Sequence, residues 1–232
     1  MYNIFIVEDD PQLAALLGEH LGRFGHRIGR VRDWEHVGEE CLAFDPHLVL
    51  MDVNLPRYDG YYWCRQIRRS STCPILFLSA REGKMDQVMA LENGADDYIT
   101  KPFDYELVTA KVGSLLRRAY GSYASGSDRT TTVAGLTLDC ERLQLSLRDR
   151  RIELSHTESQ ILDELLRRPE QLVSRDRLLE RIWDEHAFVD DNTLNVYVNR
   201  VRKKLAQLEI DGAIQTVRGA GYRLLPVWEP PG

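Results

Sequence analysis

Leu48-Val49-Leu50-Met51-Asp52-Val53-Asn54-Leu55-Pro56-Arg57-Tyr58-Asp59-Gly60 runs from four apolar residues into a carboxylate and then into a turn-rich stretch. An apolar run this short, bounded by turn signals and flanked by helix-period segments, reads as a strand buried on both faces of a parallel sheet. The same grammar recurs three times: Tyr2–Val7 ends in Glu8-Asp9-Asp10, Ile75–Leu78 in Ser79-Ala80, and Tyr98–Ile99 leads to Lys101-Pro102. Such sheets place ligand sites just beyond the carboxyl ends of their strands. Three carboxylates, a hydroxyl and an ammonium then converge on one small pocket. That collection suits a divalent cation and a phosphoryl group.

Between these strands the pattern turns helical. Pro11–Phe24 sets Leu13, Leu16, Leu17, Leu21 and Phe24 on one face, with Pro11 in the first turn and Gly25 as the stop. Arg27–Val31 reads as a second strand, and further helices are expected over Trp34–Phe44, Tyr61–Arg69, Met85–Asn93 and Tyr105–Arg118. Five β/α units fit a doubly wound sheet of the flavodoxin-like kind. Residues 119–128 are small and polar without apolar period, and read as a linker.

Residues 129–225 follow another grammar, with short alternating runs at Leu136–Leu138, Leu143–Leu147 and Ile152–Leu154. Ser155-His156-Thr157-Glu158 is a capping box opening a helix through Ile161, Leu162, Leu165 and Leu166. Ser174 caps a second helix over Arg175–Asp184, and Asp191-Asn192-Thr193 opens a third to about Leu208. Thr216–Arg223 is a hairpin with a glycine-rich tip, and residues 226–232 form a tail. Strands, three helices and a terminal hairpin make an α+β winged-helix arrangement.

With 232 residues the chain is long enough for two domains with separate cores. Its net charge of −6 is concentrated in residues 1–128, which carry 14 basic against 19 acidic residues. An acidic total excludes indiscriminate nucleic-acid binding and leaves room for a local basic face. Cys41, Cys64, Cys73 and Cys140 show no Cys-x-x-Cys spacing and read as reduced thiols of a cytoplasmic protein. No apolar run approaches the ~20 residues of a membrane span, and the N-terminus shows no signal segment.

Taken in order and spacing, Glu8-Asp9, Asp52, Asn54-Leu55-Pro56, Asp59-Gly60, Ser79-Ala80, Gly94-Ala95-Asp96-Asp97-Tyr98 and Lys101-Pro102-Phe103 resemble a response-regulator receiver domain over residues 1–118. Residues 129–225 resemble the winged-helix effector of the OmpR/PhoB family. The resemblance implies Asp52 as phosphoacceptor from a membrane sensor histidine kinase. It implies Mg²⁺ on Glu8, Asp9, Asp52 and the Asn54 backbone carbonyl, and Lys101 stabilising the transferring group. Ser79 would hydrogen-bond the phosphoryl, Tyr98 would turn inward as the switch aromatic, and the Lys101-Pro102 bond would be cis. Enzymatic activity would be limited to accepting the group and slowly hydrolysing it. Haloacid-dehalogenase-type phosphatases, which also use a strand-end Asp, need a second Asp two residues on, where this chain has Asn54. The alternative to a phospho-switch is a fixed dimerisation module.

The family's homodimer implies ion pairs across a two-fold, here Asp97 with Lys111 and Asp96 with Arg118. A third pair would fall on the uncharged Gln87 and Leu107, so Leu107 offers an apolar contact instead. In the last helix Leu194, Tyr197, Val198, Val201, Leu205 and Leu208 form the core stripe. The opposite face then carries Val196, Asn199, Arg200 and Lys203, with Asn195 and Arg202 at its edges. Asn and Arg can read adenine and guanine bidentately, Lys203 phosphate or base, and Val196 a thymine methyl. Arg218 in the wing would enter the minor groove of double-stranded promoter DNA, and RNA polymerase is a further implied partner. The segments Asp59–Arg65, Met85–Ala90 and Leu116–Gly121 resemble the branch controlling resistance to cell-envelope peptides such as bacitracin.

Overall fold

The structure, a computed structural model, describes residues 1–81, 83–121, 130–182 and 191–228. It divides into two compact units, Met1–Ala119 and Tyr120–Gly232.

In the first unit, β1 (Asn3–Val7), β2 (Arg27–Arg30), β3 (Leu48–Asp52), β4 (Ile75–Ser79) and β5 (Asp97–Thr100) alternate with α1 (Pro11–Gly22), α2 (Val37–Phe44), α3 (Gly60–Arg68), α4 (Lys84–Glu92) and α5 (Tyr105–Tyr120). The sheet order is β2-β1-β3-β4-β5, all parallel. Strands β3 and β4 are buried along their whole length, which is why their sequences are continuous apolar runs. Their register pairs Asp52 with Leu78 and Ser79 with Thr100, so the polar end-residues stand in one row at the carboxyl edge. One face of the sheet packs Ile4, Ile6, Leu50, Leu76 and Leu78 against Leu17 and Leu21 of α1 and Val108, Val112 and Leu115 of α5.

Two expectations need correction in this unit. Leu16 and Phe24 are 52% and 58% exposed, because α1 turns Ala14, Leu17, Gly18 and Leu21 to the sheet and ends at Gly22. Helix α5 runs on through Tyr120, with Leu115, Leu116 and Ala119 buried, so the first two residues of the expected linker are helical. The stretch 122–128 lies outside the described residues, as do the expected Asp184 end of the second effector helix and tail residues 229–232.

The second unit opens with β6 (Thr130–Val133), β7 (Leu136–Asp139), β8 (Gln144–Leu147) and β9 (Arg150–Glu153), an antiparallel meander. Then come α6 (His156–Leu166), β10 (Leu172–Ser174), α7 (Arg175–Ile182), α8 (Asp191–Gln207), β11 (Ile214–Val217) and β12 (Gly221–Leu224). Strands β11 and β12 form the hairpin, and β10 adds to it in the order β10-β12-β11. Both halves of the capping box are made: Ser155 Oγ accepts the Glu158 N–H at 3.3 Å, and Glu158 Oε2 accepts the Ser155 N–H at 2.9 Å. No disulfide joins the four cysteines, and Cys41, Cys64 and Cys73 are buried. Among the described residues no helix is long and apolar enough to cross a membrane.

Candidate functional site: an acidic phosphoacceptor pocket and a DNA-reading helix

The three acids after β1 divide their work. Asp10 caps α1, its Oδ1 accepting Gln12 N–H at 2.8 Å and Leu13 N–H at 3.2 Å. Glu8 and Asp9 instead meet Asp52, the three carboxylates having oxygens within 4.8 Å of one another. Lys101 Nζ stands between two of them, donating at 2.7 Å to Glu8 Oε2 and at 2.7 Å to Asp52 Oδ2. The Lys101-Pro102 peptide is cis.

Burial raises the Glu8 pKa above its ordinary value, and the neighbouring Asp52 charge adds to this against the opposing pull of Lys101. Burial works against the Lys101 charge, yet hydrogen bonds to Asp52 and Glu8 outweigh it and hold its pKa up. An ammonium and a set of hard oxygen donors therefore face the same point. Such donors fit a small divalent cation.

The loop behind Asp52 is shaped by Asp59 and Gly60. Asp59 caps α3 by accepting the Tyr62 N–H at 2.8 Å, and the Gly60 N–H donates to the Val53 carbonyl at 2.9 Å. A Cβ on Gly60 would lie 2.0 Å from the Asp52 carbonyl oxygen. Only glycine allows that approach.

On the other side of the pocket Ser79 is fully buried, its Oγ accepting the Arg81 N–H at 3.1 Å. Tyr98 is 9% exposed and donates its hydroxyl proton to the Arg81 carbonyl at 2.6 Å. Burial raises the Tyr98 pKa, opposed by a hydrogen bond to Ser79. Arg81 itself donates to Asn54 Oδ1 from Nε at 3.3 Å and from Nη2 at 3.2 Å. Sequence reasoning missed Arg81. Its only signal was a basic residue in the loop just past a strand's carboxyl end.

The two ion pairs expected across a two-fold find their partners inside the chain. Asp97 accepts Lys111 Nζ at 2.8 and 2.7 Å within the same molecule. Asp96 is buried and bound to Arg68 Nη2 at 2.6 Å and to the Ile75 N–H at 3.0 Å. It is therefore not a surface charge awaiting Arg118, whose Nε donates to the Ser114 carbonyl at 3.3 Å. Leu107 on α5 is 46% exposed, as are Met85 (71%) and Met89 (44%) on α4.

The stripe Leu194, Tyr197, Val198, Val201, Leu205 and Leu208 of α8 and the residue just past it is buried as expected. Its opposite face is narrower than expected. Val196 is 6% exposed and is not available to a thymine methyl. Arg200 is 8% exposed: its Nε donates to Glu158 Oε1 at 2.8 Å and its Nη2 to Ser155 Oγ at 3.3 Å. The physical reason is that α8 packs against both α6 and α7, which covers more than one stripe. Burial opposes the Glu158 charge, but Arg200, Lys204 and the Ser155 N–H outweigh it and hold the carboxyl below its ordinary range. Arg202 is half-committed, with Nη2 on the Ile214 carbonyl at 2.8 Å and Thr216 Oγ1 at 2.9 Å. Asn195, Asn199 and Lys203 remain exposed, and Arg218 is exposed in the turn between β11 and β12.

Comparison with known proteins decides what these two units are. Residues 4–113 match the family described as the response regulator receiver domain, and residues 149–224 that described as transcriptional regulatory protein, C terminal. The chain is an OmpR/PhoB-type response regulator. Transcriptional regulatory protein YxdJ of Bacillus subtilis (strain 168) is 51% identical over 225 residues, 97% of this chain and 98% of that one. Response regulator protein GraR of Staphylococcus epidermidis is 44% identical over 219 residues, 94% and 97% of the two chains. Among solved structures, a RitR mutant shares the fold with a TM-score of 0.78 at 24% identity, covering 97% of this chain and 99% of that one. A two-component response regulator from Clostridium difficile covers 52% of this chain and 99% of its own, with a TM-score of 0.50 at 28% identity. As a two-component response regulator, the chain works with a histidine kinase and binds DNA through its winged helix.

Proposed function

We propose that this response regulator is a phosphorylation switch centred on Asp52, and that the switch controls receiver dimerisation and hence transcription. The observation that carries the reading is the Lys101 ammonium held at 2.7 Å from both Glu8 and Asp52 at the strand ends. In the reaction an Asp52 carboxylate oxygen attacks the phosphorus of a kinase phosphohistidine. A P–O bond forms, the P–N bond breaks, and the released imidazole nitrogen takes a proton. Lys101 is placed to meet charge on the phosphoryl oxygens, and the Ser79 hydroxyl to donate a hydrogen bond to them. Glu8, Asp9, Asp52 and the Asn54 carbonyl would hold Mg²⁺, which when bound neutralises phosphoryl charge. Slow hydrolysis of the acyl phosphate is the only turnover expected.

The hydrogen bond from Tyr98 to the Arg81 carbonyl links the pocket to the α4–β5–α5 face. On that face Met85, Met89 and Leu107 supply exposed apolar area to a second copy, with Asp97, Lys111 and Arg118 around them. A dimer places two winged helices on tandem half-sites about one helical turn apart, with Asn195, Asn199, Arg202 and Lys203 in the major groove and Arg218 in the minor. RNA polymerase is the further partner through which a cytoplasmic dimer of this kind acts. Target genes of the envelope-peptide-resistance class follow from the resemblance of Asp59–Arg65, Met85–Ala90 and Leu116–Gly121. Titration of a tandem-site DNA with the protein before and after acetyl phosphate plus Mg²⁺, alongside Asp52→Ala, tests the switch. Tighter, more cooperative binding that Asp52→Ala abolishes is expected. Equal binding in all three states refutes it and leaves a constitutive dimer.

A further inference from the structure

Asn195 and Asn199 lie one turn apart on the exposed face of α8. A carboxamide reads adenine bidentately only with both ends free, its oxygen accepting from N6 and its nitrogen donating to N7. The Asn195 oxygen has both lone pairs engaged, whereas that of Asn199 has one. Asn195 Oδ1 accepts the Tyr222 hydroxyl at 2.6 Å and Arg175 Nη1 at 3.2 Å, and Arg175 Nη1 also donates to the Tyr222 oxygen at 3.0 Å. Asn199 Oδ1 accepts Arg202 Nη1 at 3.0 Å.

The facing of each amide follows from chemistry. A guanidinium carries donors and no acceptor, so the amide atom turned to it must be oxygen. Flipping either amide would set N–H against N–H. The clamps are themselves anchored. Tyr222 is buried with the Arg175 guanidinium 5.7 Å from its ring centre, and Arg202 is tied to the Ile214 carbonyl and Thr216. Each asparagine thus turns its NH₂ outward, and among the described residues neither Nδ2 donates a hydrogen bond. Lys203, one turn beyond Asn199, adds an exposed group that only donates.

We propose that Asn195 of α8 is a donor-only reader, selecting guanine and thymine edges and unable to read adenine bidentately. Guanine offers O6 and N7 and thymine O4, all acceptors, whereas cytosine offers only its N4 donor and adenine sets an N6 donor beside N7. Arg175, Tyr222 and Arg202 are positioning residues here, setting the orientation of the groups that touch the bases. The proposal rests on α8 being the helix that enters the major groove.

The test is selection of the full chain, treated with acetyl phosphate and Mg²⁺, on randomised duplexes at one fixed salt concentration. Asn195→Ala and Asn199→Ala each identify a base position by flattening its preference. In the wild type the Asn195 position is expected to carry guanine or thymine, whereas the Asn199 oxygen, with one lone pair left, still admits adenine at its position. The double variant Arg175→Leu/Tyr222→Phe frees the Asn195 oxygen, and adenine at that position should rise about tenfold, with other positions unchanged. Tyr222→Phe alone removes one hydroxyl and should shift the same position less. The wild-type preference also decides the matter without any clamp variant. Adenine at the wild-type Asn195 position, or a double variant that folds and keeps the wild-type preference, overturns the donor-only reader while leaving α8 in the groove. Unchanged affinity and preference in Asn195→Ala, Asn199→Ala and Lys203→Ala together would remove α8 from the groove, and this proposal with it.

Discussion

Arg200→Met separates a structural arginine from a DNA-reading one. In the wild type the Arg200 and Glu158 side chains are 9% and 4% exposed and meet at 2.8 Å. Methionine keeps most of the aliphatic volume, so little cavity is made, but Glu158 is left as a buried carboxylate with the Ser155 N–H and the more distant Lys204 charge. Breaking a buried pair from one side costs about 3–5 kcal/mol, a large share of the ~5–15 kcal/mol that stabilises a typical domain. The assay is hydrogen exchange of peptides from 193–228 in the full chain across a urea series, which reports the winged helix apart from the receiver. Glu158→Gln/Arg200→Met should recover most of the loss, because it buries no lone charge.

The pH dependence has a definite sign. Glu158 has a folded pKa below its ordinary 4.5, so the stability it contributes is fully present above 4.5 and is lost as pH falls through the lowered value. Without Arg200, burial raises that pKa, and the variant takes up its proton earlier. The gap between wild type and Arg200→Met should therefore narrow on going from pH 7 toward 4. A stability change under about 1 kcal/mol, the scale of a surface pair, together with a large loss of DNA affinity, would refute the structural role.

Three further outcomes follow from the receiver. Gly60→Ala puts a methyl 2.0 Å from the Asp52 carbonyl oxygen; it should slow acetyl-phosphate labelling of Asp52 on the order of a hundredfold, and an unchanged rate would show that the loop relaxes freely. Glu8 has a raised folded pKa, so its ionisation lowers stability as pH rises from its ordinary value through the raised one. Glu8→Gln should consequently raise the receiver's urea midpoint at pH 7.5, by an amount that shrinks on acidification; a lower midpoint would contradict the assigned burial. Met89→Glu/Leu107→Glu should leave Asp52 labelling intact and abolish phosphorylation-dependent dimerisation in sedimentation experiments, whereas an undiminished dimer would move the interface elsewhere.

The receiver pocket was legible because each of its parts ends an apolar run, and a parallel sheet lines such ends up without any further information. Glu158 was legible as a capping residue for a similar reason: its partner Ser155 is three residues away. Its second partner was not. Arg200 lies 42 residues from Glu158, and Arg68 lies 28 from Asp96, so no local pattern announces either pair. Helical periodicity placed Val196 and Arg200 on a wet face because it assumes one packing neighbour, and α8 has two. The strand β6 escaped notice because Thr130, Thr131 and Thr132 carry no apolar alternation, and three-residue β10 is too short to show one.

Glu158 closes the first turn of α6 with one oxygen and holds Arg200 of α8 with the other. Helix α8 is thereby registered to the start of another helix, as a machined part is located against a datum. A designer retargeting this protein has Asn195, Asn199 and Lys203 as interchangeable bits in a fixed chuck. Grafting a whole α8 from a relative is a different operation. Unless the graft brings an arginine to meet Glu158, it discards the datum along with the bits, and the chimera loses its alignment before it ever meets DNA.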